Sequence, residues 1–468
     1  MNQRANFGSR LGAILAAAGS AVGLGNIWRF PCTTGANGGA AFILIYVICI
    51  AIIALPVLIA EVATGRASRA NVYDTYTLLS KGELRMDAVT TTRLSKKSPF
   101  TWLWQFAGAL GVIAGFFVFS YYSVVAGWTL EYTLAAGAND LVGKSAEQFA
   151  ADFAAFSSDP FRPIMLLTAF VIITTGIVIM GVEKGIERGA KLMMPLLFII
   201  LIVLGICSLT LPGASKGLEF LFIPDFSKIN FSVTLDAMGQ AFFTLSIGIG
   251  CLMTYASYFS SDVNIVKDSF YVAVIDTAVA ILAGIIIFPA ALSVGVNPDA
   301  GPSLVFITLP NVFQQAFGSI PWLCYIVTLL FYLLLAMAAL TSSISMLEIT
   351  TAFVSEKMQI ARWKAAVILG IFTVFAGSAC SLSFGNWSDI TLFGMGFFDL
   401  FDFFVAKFAM PIGGIFLCML MRKIGKRNVE AMLTNNGTLN LGPLVNILYF
   451  LFKWVIPVLI LIIFINEL

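Results

Sequence analysis

Gly19-Ser-Ala-Val-Gly-Leu-Gly-Asn-Ile-Trp-Arg-Phe-Pro31 begins as a membrane helix and then fills with glycine, asparagine, arginine and proline. A helix that only had to span lipid has no use for such residues. Backbone that leaves the helical pattern at membrane depth is tolerated only where it is buried in protein or lines a cavity, because lipid cannot satisfy the freed N–H and C=O groups. Close helix packing explains the spacing of Gly19 and Gly23, but it leaves Asn26, Arg29 and Pro31 unexplained. The run reads as a binding site. Gly23-Leu-Gly25 does not read as a nucleotide loop, since no third glycine, lysine or preceding strand accompanies it.

The surrounding composition is that of a polytopic membrane protein: 468 residues, 59% of them apolar and 11% charged, against roughly 25% charged in soluble domains. A net charge of +2 and the lack of a basic, aromatic-interleaved stripe imply no nucleic-acid partner. The 7 cysteines are scattered, without a Cys-x-x-Cys pair, and read as small packing residues. Histidine is absent, which removes the commonest metal ligand and general base. No nucleophile–base pair stands out, so the chain does not read as an enzyme.

Apolar segments one to eleven fall near 11–28, 40–65, 102–134, 163–182, 190–211, 236–259, 268–296, 321–354, 364–382, 403–421 and 444–465. Most reach the roughly 20 residues a membrane span requires, which predicts eleven spans. Arg4, Arg10 and the small residues Ala16 to Ala21 also resemble a secretory signal. The polar residues just beyond argue that the segment is retained. With the N-terminus inside, 20 of the 27 Lys and Arg residues lie in cytoplasmic segments. Lys144, Arg162, Lys216 and Lys228 lie outside, and Arg29, Lys407 and Lys453 lie within or at the edges of spans. Cytoplasmic loops carry the excess of positive charge. The expectation is therefore an inner (plasma) membrane protein with a cytoplasmic N-terminus and an extracytoplasmic C-terminus.

Segment six carries a second interruption, Phe242-Phe-Thr-Leu-Ser-Ile-Gly-Ile-Gly250, five segments after the first. Two inverted repeats, each with a broken helix at the midplane, have this pattern. Residues 11–211 and 236–421 form the expected repeats, with 444–465 as an additional helix in a single transporter domain. Half-helix ends expose N–H groups that suit a carboxylate, and carbonyls that suit Na+ or an ammonium group.

The run Gly19 to Pro31 resembles the signature of the neurotransmitter:sodium symporters. Glu61-Val-Ala-Thr-Gly-Arg66, Tyr121-Tyr122, Phe242 to Gly250, Leu340-Thr-Ser-Ser-Ile344 and Asp399-Leu-Phe-Asp402 resemble that family's motifs in the family's order. The likeness covers nearly the whole chain and suits the shorter, eleven-span bacterial branch. It implies an all-α, leucine-transporter-like fold and a symporter that imports a neutral hydrophobic or aromatic amino acid with Na+ by alternating access. A proton-coupled carrier on the same fold is the alternative; hydroxyls at Thr341 and Ser342, where such a carrier more often places a titratable amine, argue against it.

Carried over by position, the resemblance implies a first sodium site at Ala21, Asn26, Thr244 and Asp276, and a second at Gly19, Val22, Ala338, Thr341 and Ser342. It implies substrate contacts from Ser20, Ala21, Gly23, Leu24, Gly25, Val118, Tyr122, Phe243, Thr244, Ser246, Ile249, Ser342 and Met346. Arg29 and Asp402 match an outer gate, and Arg4 and Glu356 an inner one, with Phe7, Ser257 and Tyr258 nearby. Asp276 stands where many members have asparagine. Tyr46, Gln240 and Thr244 match a chloride site, but Ala280 replaces its hydroxyl residue, so the Asp276 carboxylate is expected to replace chloride. Gly185 and Pro195 resemble a motif for local unwinding of segment five.

Overall fold

The computed structural model describes residues 5–84, 92–93, 100–261, 263–295 and 304–467. Among the described residues, nine helices are long and apolar enough to cross a membrane, or ten when the bent pair Arg10–Ala21 and Gly25–Ala36 counts as one span. Segment six falls below span length in either piece, as Phe231–Thr244 and Cys251–Ala256.

Segment one starts where the Ser9 side chain accepts the Gly12 N–H, capping the helix. It stops at Val22, whose backbone is extended (φ −68°, ψ 112°), and resumes after a bend of 53°. The sequence reading ends this segment near residue 28; the wide turn Gly25–Arg29 passes without a break into Phe30–Ala36, so the helix carries Pro31 and runs on to Ala36. In segment six, Gly248 and Gly250 take φ of 94° and 88°, which glycine adopts freely, while Ser246 holds φ 50°. The freed Gly248 N–H donates to Glu61 Oε1 at 2.7 Å. Glu61 is thus the buried acceptor that lets this break exist inside the membrane.

The helices Thr101–Gly137 and Pro321–Met358 pack along each other, and Arg10–Ala21 lies against Pro321–Met358, Ile265–Ser293 and the helix through segment five. Arg10–Ala21 also lies against Cys251–Ala256, and Gly25–Arg29 against Phe231–Thr244, so the two breaks meet. Segment five is continuous over Val182–Leu209. Gly185 lies in its wide first turn, Val182–Glu187, where the Gly185 and Ile186 N–H groups both bond Gly181 O, at 3.0 and 3.1 Å. A Cβ on Gly185 would stand 2.0 Å from Ile177 O, so this glycine serves a close approach of two helix ends.

The polar stretch after segment two is ordered where described. Val72–Ser80 forms a helix with Val72, Tyr76 and Leu79 buried, and Glu83–Leu84 pairs antiparallel with Thr92–Arg93.

Candidate substrate and ion site

Asn26 joins three segments. Its Oδ1 accepts the Gly23 N–H at 3.0 Å, closing the first break. Its Nδ2 donates to Asp276 Oδ1 at 2.7 Å, to Asp276 O at 3.1 Å and to Thr244 Oγ1 at 3.1 Å. Thr244 in turn donates to Asp276 Oδ2 at 3.0 Å. Asp276 is fully buried, and among the described residues no Lys or Arg lies within ion-pair distance of it. A buried carboxylate without a cationic partner is costly. An oxygen cluster of this charge could hold a hard monovalent cation.

A second oxygen cluster lies where Pro321–Met358 crosses the first break. Thr341 Oγ1 is 3.0 Å from Ala338 O and 3.4 Å from Val22 O. Ser342 Oγ is 2.9 Å from Val22 O and 3.4 Å from Gly19 O. All five residues of the expected second site are brought together. Gly19 permits it, since a Cβ there would stand 3.3 Å from Thr341 Cβ.

Between the clusters lies a cavity of about 40 Å3. Of the expected substrate contacts, Ala21, Gly23, Leu24, Gly25, Val118, Tyr122, Phe243, Thr244, Ser246, Ile249, Ser342 and Met346 border it. Ser20 does not, although Ala21, the next residue of the same helix, does. The Leu24 N–H donates to Tyr122 Oη at 3.1 Å. A Cβ on Gly23 would lie 2.5 Å from Ser342 Oγ and 3.0 Å from Tyr122 Oη, so this position holds backbone and little else.

Tyr121, Val405 and Met410 also border the cavity, unselected by the sequence reading. Tyr121 has a signal in its pairing with Tyr122. Val405 and Met410 have none, being apolar residues in an apolar helix.

Arg29 and Asp402 border a second cavity of about 50 Å3 on the other side of Phe243. They form no direct ion pair; the Arg29 guanidinium stacks on the Phe243 ring, 4.0 Å from its centroid. Arg4 of the expected inner pair lies outside the described residues. Glu356 accepts a hydrogen bond from Asn71 Nδ2 at 2.7 Å. Phe7 donates its N–H to Tyr258 O at 3.1 Å and packs edge-on against Tyr255, Tyr258 and Phe259.

Three buried carboxylates escape the sequence reading: Glu348, Glu187 and Asp268, the last paired with Arg10. Glu348 is fully buried, takes a hydrogen bond from Tyr258 Oη at 2.6 Å and is gripped by both guanidinium nitrogens of Arg362. Glu187 accepts from Gly8 N at 2.6 Å, Ser9 Oγ at 2.8 Å and Lys191 Nζ at 2.7 Å. An acid inside an apolar segment is the available signal for Glu348. Arg362 reads from the sequence only as loop charge.

Long apolar helices, two of them interrupted at one shared set of buried oxygens, define a multi-pass membrane transporter. The profile of the sodium:neurotransmitter symporter family matches residues 4–82 and 159–468. An uncharacterized sodium-dependent transporter of Bacillus subtilis, YhdH, is 37% identical, over 98% of this chain and 97% of its own. Another from Haemophilus influenzae is 33% identical, over 100% of this chain and 98% of its own. The solved structure of MhsT in complex with L-phenylalanine matches with a TM-score of 0.86 and 39% identity, covering 100% of both chains. The chain belongs to the sodium:neurotransmitter symporter family. It is a sodium-dependent secondary transporter, not an enzyme, and shares the fold of MhsT.

Proposed function

We propose that this transporter imports a neutral hydrophobic or aromatic amino acid together with Na+, which enters at two sites. The observation that carries the reading is the cavity itself. Its polar groups are the Leu24 and Gly25 backbone and the hydroxyls of Tyr122, Thr244, Ser246 and Ser342, while Val118, Phe243, Ile249 and Met346 supply apolar lining. A zwitterion places its carboxylate toward the N–H groups of Leu24 and Gly25 and its side chain among the apolar residues. The L-phenylalanine bound to MhsT supports this substrate class.

The first Na+ is held by Ala21, Asn26, Thr244 and Asp276, and the second by Gly19, Val22, Ala338, Thr341 and Ser342. Because the first touches the substrate carboxylate, each ligand raises the affinity for the other, which couples their transport. Asp276 supplies the negative charge, so no chloride is required. Tyr46 Oη and the Gln240 amide, which match chloride ligands in the resemblance, are buried without hydrogen-bond partners among the described residues. Ala280 offers no hydroxyl to complete them.

Closure of the outer side brings Arg29 toward Asp402, and the inner side opens at Arg4 and Glu356. The inverted repeats are 11–211 and 236–421, each contributing one interrupted segment to the site, and the interrupted segment six completes eleven spans. The N-terminus is cytoplasmic, the C-terminus extracytoplasmic and the location the inner membrane.

Uptake of a panel of labelled amino acids into liposomes tests this, under an inward Na+ gradient, an inward K+ gradient or a pH gradient alone, with and without chloride. Concentrative uptake of hydrophobic or aromatic amino acids with Na+ alone, unchanged by chloride removal, is expected. Uptake driven by pH without Na+ would overturn the sodium sites. A requirement for chloride would overturn the role given to Asp276.

A further inference from the structure

Two side chains, Phe243 and Met410, border both the inner cavity and the outer cavity that holds Arg29 and Asp402. They form the partition between the two. Phe243 carries the Arg29 guanidinium on its ring, 4.0 Å away. Met410 lies in the same helix as Asp402, within Phe397–Ile424.

The backbone around Met410 has no slack. Gly248, at φ 94°, approaches so closely that a Cβ there would lie 2.3 Å from Met410 O, and a Cβ on Gly413 would lie 1.9 Å from Gly248 O. The segment-six break and this helix touch main chain to main chain. Any change in cavity shape at this point has to come from the Met410 side chain or from movement of the whole helix.

The wide turn Phe403–Ala409 sets the direction in which Met410 points. In a regular helix eight residues rotate to about 80° apart around the axis. One residue accommodated by the wide turn reduces this to about 20°, which stacks Asp402 and Met410 on one face, two turns apart. Val405, fully buried, lines the same wall.

We propose that Met410, supported by Val405, determines the side-chain size the transporter accepts, and that it reports this size to the outer gate through the helix it shares with Asp402. The inference rests on the amino-acid reading above. A thioether chain is adaptable, and it lets one pocket take aromatic and large aliphatic side chains. Methylene-scale changes in an apolar pocket shift discrimination roughly 10- to 200-fold.

Competition uptake with tryptophan and leucine in Na+-driven assays, across Met410→Ala, Met410→Leu and Met410→Phe, is the test. Met410→Ala is expected to move the tryptophan-to-leucine ratio of kcat/KM about tenfold toward tryptophan, Met410→Phe in the opposite direction, and Met410→Leu by less than about threefold. A merely structural role lowers uptake of both substrates together and leaves the ratio unmoved. Should the Met410 variants not reach the membrane, Val405→Ala carries the test, with the same direction as Met410→Ala. Ratios unchanged in every variant that folds, with wild-type Na+-driven uptake intact, overturn this inference alone. Wild-type protein that takes up no amino acid with Na+ overturns the functional reading beneath it.

Discussion

Replacing Asp276 by Asn changes one charge and almost no volume, which makes it the sharpest test of the first sodium site. The carboxylate accepts from Asn26 Nδ2 at 2.7 Å and from Thr244 Oγ1 at 3.0 Å, fully out of solvent. An asparagine oxygen can keep the bond from Asn26. Its amide then faces Thr244, which must accept instead of donate, a reversal worth about 1 kcal/mol. Loss of the charge weighs more. A unit charge about 4 Å from a cation is worth about 4 kcal/mol at an effective dielectric of about 20. The carboxylate's own desolvation offsets part of this, and taking half leaves about 2 kcal/mol. At about 1.4 kcal/mol per decade this raises the Na+ concentration for half-maximal uptake about 30-fold. The assay is Na+ titration of substrate uptake in liposomes at saturating substrate, with and without chloride. Because Tyr46 Oη and the Gln240 amide have no hydrogen-bond partner among the described residues, chloride is expected to restore part of the lost affinity. A variant that elutes as a single species and titrates Na+ within about threefold of wild type would falsify the site.

Tyr122→Phe removes the hydroxyl that meets the Leu24 N–H and, in the proposed pose, donates to the substrate carboxylate; a hydrogen bond to a charged group is worth about 1.5–3 kcal/mol, so the substrate KM is expected to rise at least about tenfold in uptake assays. Thr341→Ala deletes one hydroxyl of the second cluster without touching the cavity lining. The Na+ titration should shift by about five- to tenfold at unchanged substrate selectivity, as loss of one hydrogen-bond-scale ligand implies. Glu348→Gln leaves Arg362 without its buried anionic partner, a change of about 3–5 kcal/mol. Thermal melts in detergent should fall by several degrees, and Glu348→Gln with Arg362→Gln should recover part of the loss. Equal melting of the single variant and wild type would show that the pair does not hold the helices Pro321–Met358 and Arg362–Leu382 together.

How far the sequence carries is visible in particular residues. Gly23, Asn26 and Pro31 announce the first break, and Gly248 with Gly250 the second, because glycine and proline alter backbone freedom locally, wherever the chain folds. The approximate span positions are legible for the same reason: burial in lipid is a property of a stretch of chain. End positions are less so. Segment one runs past its expected end near residue 28 to Ala36, since the wide turn Gly25–Arg29 continues into Phe30–Ala36 and Pro31 does not end the helix. The family motifs group Asn26 with Thr244 and Asp276, and Thr341 with Ser342, and the structure brings each set within hydrogen-bond reach.

What the sequence by itself determined is where the helix cannot continue and which oxygens are available there. What only the tertiary structure decided is which side chains face them. The helix Thr101–Gly137 is apolar nearly all round, so its periodicity does not single out Val118 and Tyr122 from their neighbours. Met410 reaches the cavity through a wide turn and a glycine contact on another segment. Glu348 finds Arg362 only after the chain reverses between two long helices. In lipid every surface of such a helix is allowed to be apolar, and close main-chain packing at glycines, rather than a hydrophobic stripe, selects the inward face.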